Sequence, residues 1–189
     1  MKKISIACVL SLMVVTASAA ENKDWYVGAS LGLAKADSGV TNLTGDLKLD
    51  ESDMGYKIYS GYDINKYISA EIFYADFGKG KLSGTNGTYK YQGLTSTFSS
   101  EVEADSSTFG ASAVFHLPLH KNVIPYAKVG IHSWETTLGT IENTGTDVMY
   151  GLGIDFPLND SFSLRTEFES YKFDSESYDL ITAGLMVKF

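Results

Sequence analysis

Residues 178–189 read YDLITAGLMVKF, and they constrain the fold more than any other stretch. Ile181, Ala183, Leu185, Val187 and Phe189 are apolar at every second position, with Thr182, Gly184, Met186 and Lys188 between them. Period-two alternation is the pattern of a strand with one greasy face and one mixed face. The stretch runs out on an aromatic residue of the greasy face, which a strand lying in water gains little from.

The same alternation recurs upstream in seven segments, at 24–34, 54–62, 67–77, 106–117, 123–135, 146–156 and 161–171. In the first, Trp25, Val27, Ala29, Leu31 and Leu33 alternate with Tyr26, Gly28, Ser30, Gly32 and Ala34. In the sixth, Val148, Tyr150, Leu152, Ile154 and Phe156 face away from Met149, Gly151, Gly153 and Asp155. Polar connections at 35–53, 78–105 and 136–145, and a shorter one at 172–177, alternate with tight turns at 63–66, 118–122 and 157–160. In an up-and-down barrel, alternate connections emerge at opposite rims, and outer-membrane barrels have long external loops and short periplasmic turns. The expectation is therefore an all-β protein, an eight-stranded antiparallel up-and-down transmembrane β-barrel with both termini on the periplasmic side. Strands of roughly 10–12 residues, tilted by about 40°, cover the apolar band of such a membrane.

The first twenty residues carry Lys2 and Lys3, an apolar run from Ile4 to Val15, and the small-residue end Ala17-Ser18-Ala19-Ala20. This predicts a secretory signal peptide over 1–20, cut after Ala19 or Ala20, and a barrel domain over 21–189. Cys8 is the one cysteine and lies in that leader, so the mature chain is expected to have neither disulfide nor cysteine metal site. Loss of Lys2 and Lys3 moves the formal charge from −8 to −10, which disfavours nucleic acid as a partner. No later apolar run is long enough for a helical span.

A soluble lipocalin-like barrel would show the same alternation with its faces reversed. It would leave Lys57, Glu71, Lys128, Asp155, Arg165 and Glu167 in water, whereas a membrane barrel turns these six inward. Small residues on the mixed face, among them Gly28, Gly61, Gly110, Gly130, Gly151 and Gly153, leave room in a narrow interior for long charged side chains. Aromatic residues near strand ends (Trp25, Tyr62, Tyr67, Phe156, Phe162 and Phe189) suit a membrane girdle. Both features favour the membrane sense.

The stretches WYVGASLG (25–32), GYKIYSGYDINKYISAEIFYADFG (55–78), IPYAKVGIHSW (124–134) and the closing strand resemble the small eight-stranded outer-membrane barrel superfamily, of the OmpA-transmembrane and OmpX/Ail type. The resemblance covers essentially the whole chain after the leader. It implies location in the bacterial outer membrane, contact with its lipid and lipopolysaccharide, a monomer, and use of the barrel-assembly machinery through the strand that ends at Phe189. The cell-wall-binding domain that follows the OmpA barrel has no counterpart here, so that role is not expected.

Eight strands leave an interior filled by side chains. Lys57, Glu71, Lys128, Asp155, Arg165 and Glu167, with Glu169 beside them, are expected to form a polar network inside the barrel. Its reading is a plug, with a narrow gated ion channel as the alternative. A lipid A-modifying enzyme would need a lipid-facing His–Ser pair near the outer rim. His116 and His120 sit at the periplasmic end, and His132 and Ser133 point to opposite faces, so no enzyme, cofactor or metal is expected. The second outer connection, with Tyr89, Lys90, Tyr91 and Phe98 among Ser, Thr and Gly, is the candidate binding loop for a host or surface ligand. The expected function is envelope integrity or surface contact, including adhesion.

Overall fold

The structure is a computed structural model and describes residues 24–37, 42–84, 87–91, 94–97, 102–138, 141–174 and 176–189. The predicted leader and Phe98 lie outside the described residues.

Alternating sequence becomes alternating burial. The chain forms β1 (Trp25–Asp37), β2 (Lys48–Asp50), β3 (Ser52–Asn65), β4 (Ile68–Ser83), β5 (Thr88–Tyr91), β6 (Leu94–Thr97), β7 (Val102–His116), β8 (Ile124–Leu138), β9 (Ile141–Pro157), β10 (Phe162–Phe173) and β11 (Glu176–Lys188). Eight of these are long and every neighbouring pair is antiparallel, in the order β4-β3-β1-β11-β10-β9-β8-β7, with β4 pairing back onto β7. The sheet is a closed eight-stranded barrel. Closure removes the open edges that would otherwise leave backbone polar groups facing lipid.

The faces take the membrane sense. Leu33, Ile131 and Leu152 are 65%, 63% and 64% exposed, while Lys57 and Arg165 are 0% and 1% exposed. Exposed apolar side chains run round the barrel on β1, β3, β4, β7, β8, β9, β10 and β11. An apolar surface of that extent is a lipid interface. No helix among the described residues is long and apolar enough to cross a membrane.

At the short-turn rim, two turns use the same device. The Asn65 side-chain oxygen accepts from the Tyr67 and Ile68 N–H groups at 2.8 and 3.1 Å. The Asn159 oxygen accepts from Ser161 and Phe162, both at 2.9 Å. Such local acceptors satisfy backbone donors in a reversal too tight for a ladder.

The opposite rim corrects the predicted loops. The connection expected at 136–145 is ladder almost throughout, with β8 and β9 paired up to Leu138↔Ile141. The connection at 172–177 closes as tightly, at Phe173↔Glu176. Within 78–105, β4 and β7 continue to Leu82↔Val102 beyond a register shift between Asp76 and Lys79, β2 adds to β4, and β5 and β6 form a separate hairpin. The physical reason is solvent. Beyond the lipid both faces of a strand meet water, so the backbone pairs while the hydrophobic alternation that betrays a strand disappears.

Candidate functional site

Inward parity brings seven charged residues to one level of the barrel: Lys57 from β3, Glu71 from β4, Lys128 from β8, Asp155 from β9, and Arg165, Glu167 and Glu169 from β10. All are buried. Arg165 uses its fork fully: Nε and Nη2 reach the two Asp155 oxygens at 2.7 and 3.0 Å, and Nη1 reaches Glu71 Oε2 at 2.7 Å. Lys57 Nζ donates to Glu167 at 2.6 Å and Glu169 at 2.8 Å. Lys128 Nζ donates to Glu71 at 2.9 Å and also to Glu167, and lies 3.2 Å from Glu169. Three cations are thus shared among four carboxylates, and each cation touches at least two. In a low dielectric such mutual pairing offsets a desolvation cost that a lone charge could not.

Tyrosines frame the charges. Tyr126 donates its hydroxyl to Glu167 at 2.7 Å and Tyr26 to Glu71 at 3.3 Å. The Arg165 guanidinium lies 4.8 Å from the ring centres of Tyr59 and Tyr126 and 5.4 Å from that of Tyr26. A planar, weakly hydrated cation suits that aromatic cradle better than an ammonium. Tyr59 crosses over Gly28 and Tyr26 over Gly61, each ring so close that a Cβ there would come within 2.2 Å of it. These two glycines make room for tyrosine rings and not, as the sequence suggested, for charged side chains. The cradle was legible only as inward parity; nothing in the sequence distinguished these tyrosines from girdle residues.

Toward the mouth at the short-turn rim a second polar group forms. Lys188 Nζ meets Asp63 Oδ2 at 2.6 Å, Ser69 donates to Asp63 Oδ1 at 2.6 Å, and the same Ser69 hydroxyl lies 2.9 Å from His116 Nε2. The serine stands between acid and imidazole, so the acid does not orient the histidine as a hydrolytic triad requires. His120 is in an exposed turn. His132 is buried and Ser133 points outward, bonded to Thr146 at 3.1 Å. Among the described residues no group of three or more His, Cys, Asp or Glu is arranged to hold a metal.

Toward the opposite mouth the interior turns aromatic, a layer that the alternation did not reveal. Phe77 packs on Tyr171, Phe173 and Tyr178 with ring centres 5.1–5.5 Å apart, and Phe173 lies 4.4 Å from Tyr178. Phe73, Met149 and Leu180 complete this buried layer. Trp134 stacks on Phe173 at 5.0 Å and 25°, and its indole N–H donates to Asp147 at 2.9 Å.

Above the lipid, Lys79 and Lys81 both bind Glu103, at 2.9 and 2.7 Å. The two ammoniums, Lys81 foremost, hold the Glu103 carboxyl down at about 2. Asp53 accepts from the Lys79 and Met54 backbone N–H groups, which lower its pKa. Tyr89, Lys90 and Tyr91 lie on β5, paired to Ser96, Thr95 and Leu94 of β6, with Lys90 half-exposed. This hairpin is tied to the first outer connection through Thr44 and Thr88, whose hydroxyls are 2.8 Å apart. Phe189 exchanges backbone hydrogen bonds with Trp25 at the other rim, at 2.9 and 3.3 Å.

Comparison with known proteins agrees with this geometry. The model of the outer membrane protein beta-barrel domain family matches residues 5–189. Outer membrane protein A of Escherichia coli O157:H7 is 26% identical over 180 residues, covering 89% of this chain and 47% of that protein. The counterpart from Salmonella typhi is 27% identical over 184 residues, covering 89% and 48%. The chain therefore spans about half the length of these curated relatives. Among solved structures, Neisserial surface protein A superposes with a TM-score of 0.59 at 20% identity, covering 87% of this chain and 97% of that one. OprG of Pseudomonas aeruginosa gives 0.58 at 12% identity, with 89% and 97% covered. Ail of Yersinia pestis, crystallised with the heparin analogue sucrose octasulfate, gives 0.51 at 15% identity, with 88% and 99% covered. These structural likenesses concern the fold.

Proposed function

The chain belongs to the outer membrane protein beta-barrel domain family and sits among the lipids of a bacterial outer membrane, and on that premise we propose a non-enzymatic role in envelope integrity and surface contact. Residues 1–20 serve as its cleaved export signal. The observation that carries this reading is the interior, filled from the Asp63–Lys188 pair through the seven-charge network to the aromatic layer. A barrel filled along its length is a rigid anchor, and chemistry with the outside then falls to the sheet and hairpin above the lipid.

The hairpin of β5 and β6, with Tyr89, Lys90 and Tyr91, is the surface we assign to a host or other surface ligand. Ail was crystallised with the heparin analogue sucrose octasulfate, but in this chain Lys79 and Lys81 are bound to Glu103, so no sulfate site is assigned to them. Replacing residues 85–99 by a short turn tests the assignment. Heat-shifted gel mobility should persist while adhesion or serum survival falls; unchanged surface behaviour with the barrel intact would sink it.

A narrow gated pore is the second reading, favoured by one feature. Lys57 lies within 3.8 Å of Glu71, 2.6 Å of Glu167 and 2.8 Å of Glu169, so the cations can trade partners without orphaning any of them. Planar bilayers decide between the two readings. The anchor reading expects no unitary steps, whereas steps that change with Glu71→Ala would establish the pore.

A further inference from the structure

His132 is buried beneath the aromatic layer, and its hydrogen bonds define which form of the ring is in place. The Thr108 hydroxyl has one proton and donates it to the Ser133 carbonyl at 2.9 Å. It therefore accepts from His132 Nδ1–H, 2.7 Å away. The other ring nitrogen, Nε2, is then a bare lone pair. It is buried and makes no hydrogen bond of ordinary geometry among the described residues. Around it stand the rings of Tyr171 and Phe173, at 5.2 and 5.4 Å.

A proton arriving at Nε2 would place a cation beside that aromatic wall, with the Lys172 and Val148 backbones as its uncharged partners and Asp147 as the anion that acts on it. Besides the Lys172 and Val148 backbones, each neighbouring strand brings side chains toward the histidine. The strand before it in the barrel, β7, offers Thr108 and Ser106; β4 offers Phe73 and Phe77; β11 offers the Tyr178 hydroxyl, already bonded to Ser106 at 3.1 Å. From β10 come Tyr171 and, one layer deeper, Glu169, which is engaged by Lys57. From β9 comes Asp147, the direct cross-strand partner of His132. Cross-strand partners have Cβ atoms about 5 Å apart, so a side-chain rotation joins an imidazolium to that carboxylate.

Asp147 is already in use. It accepts the Trp134 indole N–H at 2.9 Å and the Asp174 backbone N–H at 3.0 Å, tying the mouth tryptophan and the β10–β11 hairpin to the barrel. We propose that His132, Asp147 and Trp134 form a proton-operated latch on the outer mouth, in which protonated His132 draws Asp147 away and releases Trp134 from its stack on Phe173. The latch relies on the proposed function only for which side is called outer. It is read on the folded barrel itself, so its failure leaves the anchor reading untouched.

The chain has two tryptophans, Trp25 and Trp134, so Trp25→Phe leaves the latch residue as the one emitter. The experiment is a titration of that variant in detergent micelles from about pH 8 to about pH 4, following emission maximum and acrylamide quenching. The expected result is a reversible red shift with greater quenching on acidification. It should be lost in Trp25→Phe/His132→Gln and in Trp25→Phe/Asp147→Asn, both still showing the heat-dependent gel shift of a closed barrel. The Asn variant keeps an acceptor for the Trp134 and Asp174 N–H groups, so its neutral-pH emission should match the parent. No shift in the parent, or the same shift after His132→Gln, would overturn the latch.

Discussion

At the scale of single residues, Arg165 has the most to lose. It is the one side chain that satisfies Asp155 in two bonds and Glu71 in a third while three tyrosine rings stack about it. Arg165→Met would leave Asp155 a buried anion without its fork. Breaking a buried pair from one side typically costs about 3–5 kcal/mol, because the remaining charge stays desolvated. Urea unfolding in lipid vesicles, followed by tryptophan emission, should show a loss of that size, with Arg165→Lys between parent and Met because charge survives and the planar fork does not. A loss below about 1 kcal/mol for Arg165→Met would mean the network relaxes freely around its gap. The inward position of Arg165 was legible from alternation alone, since Leu164 and Thr166 flank it on the lipid face. Its partners were not. Which carboxylate meets which cation depends on register between strands far apart in sequence, and Glu71 lies 94 residues from Arg165.

At the scale of elements, strand membership was legible within the lipid and lost outside it. Ile72 and Tyr74 alternate against Glu71 and Phe73, and they fall where the pattern put them. The continuation Lys79–Leu82 has no such signal, because water on both faces removes the selection for an apolar row. Besides ladder bonds to β7 and β2 and the Lys79 N–H bond to Asp53, the Lys79–Glu103–Lys81 bridge holds this continuation. Its pH dependence has a definite sign. Glu103 is held down to about 2 from an ordinary 4.5, so its contribution is complete above the ordinary value and is lost as pH falls through about 2. The three side chains are open to solvent and their effect is local. Amide exchange of residues 79–82 and 102–105 should be slower in the parent than in Glu103→Gln at about pH 5, and the difference should shrink toward pH 2. A difference that is constant over this range would assign the order of the extension to the backbone ladder alone.

At the scale of the whole molecule, closure rests on the seam between the first and last strands. β1 and β11 pair without interruption from Tyr26↔Lys188 to Asp37↔Ser177, and Lys188 reaches past β1 to Asp63 on β3. The seam also separates two roles for Phe189. In the folded barrel its backbone bonds to Trp25 do not need the aromatic ring, which is half-exposed on the lipid side. Phe189→Ala should therefore refold from urea into vesicles with nearly the parent's yield, heat-shifted mobility and midpoint. If the terminal aromatic is read by the barrel-assembly machinery, the same variant should accumulate poorly in the outer membrane of cells although it folds unaided. Equal loss in vesicles and in cells would make the ring a packing element of the seam, and equal success in both would leave assembly to the alternation of β11. The comparison isolates recognition from stability because every hydrogen bond that closes the barrel at this residue is made by atoms the substitution leaves in place.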